Sequence, residues 1–124
     1  MLNHWNGDIM GVKEDIAKLL NEALQLEHAA YVQYLAHAEL VDGLNAEPII
    51  ARLKEIAGDE AEHQKKFRTL IGDFLGGEPT MGVAETHEAK TIKEILETNL
   101  KDEKHAVDVY KKILEKTPDN AARA

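Results

Sequence analysis

The stretch LKEIAGDEAEHQKKFRTLI, residues 53–71, decides how this chain is read. Steps of three and four residues return to one face of a helix, so Leu53, Ile56, Glu60, His63, Phe67, Leu70 and, just beyond, Phe74 fall on a single stripe. The stripe is apolar except at its centre, where a carboxylate and an imidazole stand one turn apart. Taken alone, Glu60 and His63 read as a surface pair on a misjudged face. Their neighbours in the chain change that.

The same interruption recurs on either side. A first helix is predicted from about Lys13 to Asp42, stopped by Gly43, with a buried stripe of Leu20, Leu24, Glu27, Ala30 or Tyr31, Tyr34, His37 or Ala38, and Val41. The link DGLNAE leads to Pro48, suited to a first helical turn, and the second helix then runs to Gly76 and Gly77. A third helix opens with TIKE, where Thr91 and Glu94 have capping-box spacing, and its stripe reads Leu96, Leu100, Glu103, Val107, Tyr110, Leu114. One glutamate thus breaks each of three apolar seams.

The connections suggest how the helices are arranged. The short link between the first two implies antiparallel neighbours. The polar segment GEPTMGVAETHEA reaches about 40 Å when extended at about 3.3 Å per residue, the length of a helix of about 28 residues, so it can cross from one end of a bundle to the other. Thr117 and Pro118 have the pattern of an N-cap and first residue of another helix. Residues 1–124 are therefore read as one all-α domain, with 1–11 a tail and 117–124 the start of a truncated fourth helix.

Composition agrees with a helical fold. At 124 residues and 44% hydrophobic the chain can fill a single core, and 5% aromatics with abundant Ala, Leu, Glu and Lys favours helices over a β-sandwich. A formal charge of −8 argues against nucleic acid or an anionic membrane as partner. The absence of cysteine excludes disulfides, thiolate metal sites and cysteine nucleophiles. No apolar run approaches the roughly 18 residues of a membrane span, and MLNHWNGDIM lacks the basic-then-apolar order of a secretory signal, so a soluble cytoplasmic protein is expected.

Three carboxylates inside a bundle need something positive between them, because stripping an ionised group of water costs several kcal/mol even after relaxation. The lysines Lys54, Lys65, Lys66, Lys101, Lys104, Lys111 and Lys112 fall off the stripes, leaving His63 as the basic candidate on the second seam. Oxygen-rich ligation with one imidazole nitrogen suits iron or manganese better than copper. A short internal repeat, EHAAYVQY (Glu27 to Tyr34) and EKHAVDVY (Glu103 to Tyr110), points to two similar halves. His28 and His105 are expected to face outward, His87 lies in the crossover, His37 is packed or close to the site, and Glu62 is solvated. Asp102 and His105 also make a DxxH, but that register turns Glu103 off its seam.

This arrangement resembles the ferritin-like di-iron carboxylate proteins, which hold two metals in a four-helix bundle with single glutamates from two helices and ExxH from the other two. Glu27 matches the first single glutamate, EAEH (Glu60 to His63) one ExxH, and Glu103 the second single glutamate. LLNEALQLEHAAYVQYLAHAEL is similar to a bacterioferritin first helix, and LIGDFLGGEPT to the end of a bacterioferritin or rubrerythrin second helix. The resemblance covers about Val12 to Leu114 and lacks the second ExxH. It implies an antiparallel ferritin-like bundle and a di-iron centre, with manganese or zinc as alternative metals, in which Glu60 bridges, Glu27 and His63 complete one position, and Glu103 serves the other. Tyr34 is similar to the tyrosine found near such sites, with a hydrogen-bonding or electron-donating role. Ala61 stands where bacterioferritins place a haem-ligating methionine, so no haem is expected. The implied activity is ferrous oxidation by dioxygen or peroxide; the rivals are a rubrerythrin-like peroxide reductase with an external electron donor and a non-catalytic helical module. An unpaired apolar seam further predicts a homodimer or higher homo-oligomer, one chain completing another's ligand set.

Overall fold

The computed structural model describes residues 9–118. Its three long helices are α1 (Ile9–Ala38), α2 (Ala46–Thr69) and α3 (Ile92–Lys116), and no strand occurs among the described residues. The all-α expectation and the long crossover between the second and third helices are both met. Residues 1–8 of the expected tail and 119–124 of the expected fourth helix lie outside the described residues. Thr117 closes α3, its Oγ1 donating to the Ile113 carbonyl at 2.7 Å. Among the described residues, no helix is long and apolar enough to cross a membrane.

α1 is the hub, packing on both α2 and α3, which share little beyond a stack of Phe67 on Tyr110. Its core-facing residues fall into two apolar clusters. One gathers Tyr34, Ala38 and Val41 with Leu53, Ala57 and Ile95; the other gathers Ile16, Leu20 and Leu24 with Ile71. Fully burying a side chain such as Leu24 is worth about 1.5–3 kcal/mol, so the two clusters clamp α2 to α1 near both ends. Between Leu24 and Tyr34 on α1, and between Ala57 and Ile71 on α2, lies the polar layer that holds Glu27 and Glu60.

The helix ends follow local rules. Gly43 and Asn45, at φ 91° and 66°, make the left-handed corner between α1 and α2, a conformation open to glycine and tolerated by asparagine. Because of that corner α1 stops at Ala38, earlier than the expected Asp42. The capping box of α3 forms as predicted, with Thr91 Oγ1 accepting from the Glu94 amide and Glu94 Oε1 from the Thr91 amide, each at 3.1 Å.

Two stripes depart from their predicted register. On α2 the buried face runs Leu53, Ala57 and Glu60 and continues to Ile71 just beyond the helix, whereas Leu70 is 42% and Phe74 70% exposed. A stripe counted at 3.5 residues per turn drifts about 20° per heptad from a straight helix of 3.6, and by the third heptad it has left the core. A π-helical turn from Leu70 to Phe74, closed by the Leu75 amide on the Leu70 carbonyl at 3.1 Å, then ends the helix.

On α3 the buried set is Ile95, Asn99, Ala106 and Val109, one residue ahead of the predicted Leu96, Leu100, Glu103 and Val107, all of which are exposed. Two apolar stripes lie side by side on this helix, and the larger leucines occupy the outward one. Asn99 fits inside because its amide is fully used, donating to the Ile95 carbonyl and meeting His37 Nδ1 while its oxygen accepts from Gln33.

The crossover lies along α1, tied by polar bonds. Asn21 and Thr80 join through the Thr80 amide, Gln25 accepts the Ala84 amide on its carbonyl, and Gln33 Oε1 accepts the His87 amide. His28, expected to face outward, is half-buried with Nδ1 2.7 Å from the Gly82 carbonyl.

Candidate metal centre

Glu27 and Glu60 are 2% and 5% exposed, held inward by the apolar residues one turn before and after them on α1 and α2. His63, one turn beyond Glu60, has its ring 48% exposed, with Nδ1 at 3.4 Å from Glu27 Oε2 and 3.5 Å from Glu60 Oε2. One ligand atom from each of the three lies within 4.8 Å of the others, and no other group of three or more His, Asp or Glu does so among the described residues.

The second oxygen of Glu27 shows what the pocket lacks. Oε1 accepts from the Tyr110 hydroxyl, but Oε2 is buried with no hydrogen-bond partner. Burial pushes the Glu27 carboxyl above its ordinary range, against the pull of the Tyr110 bond and of His63, and Glu103 nearby pushes it further up. A carboxylate in that state is costly by itself and is relieved by a cation at the same spot. Two buried carboxylates and an imidazole form a donor set that fits iron, manganese or zinc.

The internal repeat acquires a physical meaning here. Tyr34 on α1 donates to Glu103 Oε1 on α3 at 3.2 Å, and Tyr110 on α3 donates to Glu27 on α1. Each repeat therefore supplies a glutamate and, seven residues on, the phenol that holds the other repeat's glutamate. Burial first, then the neighbouring carboxylate, pushes both phenols well above the usual tyrosine range, so both stay protonated donors. The Tyr110 ring is steadied by Phe67 of α2, ring centroids 5.8 Å apart and planes at 29°.

The predicted residues are placed unequally. The structure brings Glu27, Glu60 and His63 together, and Tyr34 is buried beside them. Glu103, predicted at comparable depth, is exposed and outside the group of three, because α3 is turned by one residue from the predicted register. It still borders the centre, lining both a cavity of about 320 Å³ with Glu27 and Glu60 and an open groove of about 480 Å³ with Tyr34, Glu60 and His63. The register that the DxxH reading required is the one found: Asp102 is half-buried, its Oδ2 accepting from Gln33 Nε2 at 2.7 Å, while His105 is exposed. Tyr110 was not singled out in the sequence as a site residue; its repeat partner Tyr34 was the available signal.

Carboxylates and an imidazole brought together by two packed helices make a candidate metal site in a helical bundle. The ferritin-like domain profile matches residues 17–122, so the chain belongs to the ferritin-like family. It is 28% identical over 108 residues to a Haemophilus influenzae protein named "Probable bacterial non-heme ferritin-like protein", covering 86% of this chain and 65% of that one. It is 30% identical over 105 residues to the bacterioferritin of Desulfovibrio desulfuricans, covering 82% of this chain and 57% of that one. The chain thus spans less than two thirds of the length of these relatives. No solved structure matches it significantly.

Proposed function

We propose that this is a cytoplasmic iron-handling protein that binds ferrous iron at Glu27, Glu60 and His63 and promotes its oxidation by dioxygen or peroxide. The observation that carries this proposal is the orphaned, buried Oε2 of Glu27 within reach of Glu60 and His63. The printed names of the two relatives, a non-heme ferritin-like protein and a bacterioferritin, support iron as the metal.

In this proposal iron is the substrate, and it supplies the electrons that the oxidant takes. The chain's own residues set the conditions. Glu27 and Glu60 offer negative charge that favours the ferric product, and His63 offers an imidazole nitrogen at the solvent-facing side. Tyr110 holds one oxygen of Glu27 and leaves the other for the ion, so the carboxylate is oriented before the metal arrives. Tyr34 does the same for Glu103, which with Glu60 as bridge serves a second iron.

That second position is short of ligands among the described residues. Its open side is the α2–α3 groove, flanked on α3 by exposed Leu96, Leu100 and Val107. A homo-oligomer that covers this groove and adds ligands from a second copy would complete it. Anaerobic ferrous titration, with molar mass measured on the same sample, tests the whole proposal. One or more irons per chain are expected; less than about one iron for every two chains would leave a bare helical module. Stopped-flow mixing with dioxygen and with peroxide then shows which oxidant reacts faster.

A further inference from the structure

The cavity of about 320 Å³ between α1, α3 and the crossover changes chemistry with depth. Its exposed lining residues, Glu85, His87, Lys101, Glu103 and His105, are all able to carry charge. The buried and half-buried ones are Leu26, Ala29, Ala30, Ala84 and Ala106, together with Asp102 and the two glutamates of the centre, Glu27 and Glu60. Asp102 adds little polarity to this inner stretch, because its carboxylate already accepts from Gln33 Nε2 at 2.7 Å and lies 3.1 Å from His87 Nδ1. Between a charged mouth and the centre, the wall is thus one leucine and four alanines.

The alanines are also what leaves the space open, since a methyl stops short where a leucine would reach across. The crossover side is fixed by the Ala84 amide, which donates to the Gln25 carbonyl at 3.0 Å. Such a wall selects by hydration. An ion loses its water there without gaining a partner, and burying an unpaired hydroxyl costs about 1–3 kcal/mol, a cost that peroxide meets twice. An apolar diatomic has no such loss and gains dispersion contacts with the wall. Apolar cavities of about 150 Å³ stay dry and take up xenon, so this one has the room and the chemistry for a dissolved gas. The groove on the other side of the centre is lined differently, by Arg52, Asp59, Glu62, His63 and Lys66, with Ile56 as the aliphatic residue among them.

We infer that the alanine-walled stretch is a pocket for dioxygen that delivers it, in preference to peroxide, to Glu27 and Glu60. The oxidation it serves rests on the function proposed above; the pocket stands on its own wall. In that reaction two ferrous ions give one electron each to one dioxygen, which takes two protons from solvent and leaves as hydrogen peroxide.

Xenon pressure on the metal-free full chain, read through the alanine methyl carbon–proton correlations, tests the pocket without iron. Ala29, Ala30, Ala84 and Ala106 are expected to shift in the wild type, and Ala106→Leu, which fills the space, is expected to remove most of the response. Alanine signals that xenon leaves unmoved in the wild type overturn the pocket, whatever iron does. Stopped-flow oxidation then tests delivery. Ala106→Leu is expected to slow the dioxygen reaction about five-fold or more and the peroxide reaction by less than about two-fold, with anaerobic ferrous stoichiometry unchanged. An unchanged dioxygen rate, or equal slowing with both oxidants, overturns the delivery role. Ala84→Leu fills the same space from the crossover, keeps the backbone bond to Gln25, and is read in the same way where the α3 variant does not fold. A wild type that binds no ferrous iron sinks the proposed function and the delivery with it, while the xenon result still decides the pocket.

Discussion

The two flanks of the metal centre are built in opposite ways. On the crossover side, Gln33, His37 and Asn99 are each 6% exposed or less, and their side chains bond one another, Asp102 and the backbone. On the groove side, His63 is half exposed and the neighbouring face of α3 presents Leu96, Leu100 and Val107 to solvent. One flank is finished within a single chain; the other has the composition of an interface. The candidate centre therefore has one side closed by bonds within the chain and one side open to solvent.

Five substitutions break or sharpen this contrast, and the largest effect falls where the flanks meet. Glu60→Ala removes the one buried carboxylate that lines both the cavity and the groove, and is expected to abolish paired-metal binding in an anaerobic titration. Unchanged iron stoichiometry would sink the bridging role. On the closed flank, Asn99→Ala strands Gln33 and His37 and should cost about 1–3 kcal/mol by urea denaturation. The matching change on the open flank, Leu100→Asp, should leave the unfolding free energy of the monomer within about 0.5 kcal/mol while weakening self-association about tenfold or more by sedimentation. Equal losses of monomer stability from both would erase the distinction.

Glu27→Gln probes the charge between the flanks. Because the folded carboxyl titrates above the ordinary 4.5, the metal-free protein binds more protons folded than unfolded in that window. Its stability therefore falls as pH rises from 4.5 through the raised value, and stays lowered above it. The glutamine variant should be more stable than the wild type by about 1 kcal/mol at pH 7 without metal, with the difference shrinking as pH falls toward 4.5. A difference that grows on acidification would contradict the burial effect. Tyr110→Phe gives the smallest change, a loss of cation affinity of about 3–10-fold measured by cobalt titration, with the fold preserved because the ring stays stacked on Phe67.

The part of this molecule legible in the sequence is the part governed by local repetition. α1 is covered on several sides, so its stripe of Leu20, Leu24, Glu27 and Tyr34 was unambiguous and proved buried. α3 is covered on one side and carries two apolar stripes, and leucine content pointed to the wrong one. The buried stripe holds Asn99 and Ala106, a polar and a small residue, neither of which advertises a core position. The Glu27–Tyr110 and Glu103–Tyr34 bonds were encoded in the repeat, but a repeat says that two segments are alike and not that they cross. The ring of Gln33, His37, His87, Asn99 and Asp102 joins two residues of α1 to partners fifty or more positions away, and no spacing rule reaches that far.

The manner in which the crossover is fastened has a consequence for tolerance to change. Asn21, Gln25, His28 and Gln33 meet Thr80, Ala84, Gly82 and His87 in four rungs, the middle two out of chain order, so an irregular segment is pinned along the helix. Lengthening or shortening it by a single residue between Thr80 and His87 would slide the later rungs past their partners. Connecting segments are commonly the most forgiving places for insertions; this one behaves like a zip fastener, and its length is constrained as tightly as that of the helix beneath it.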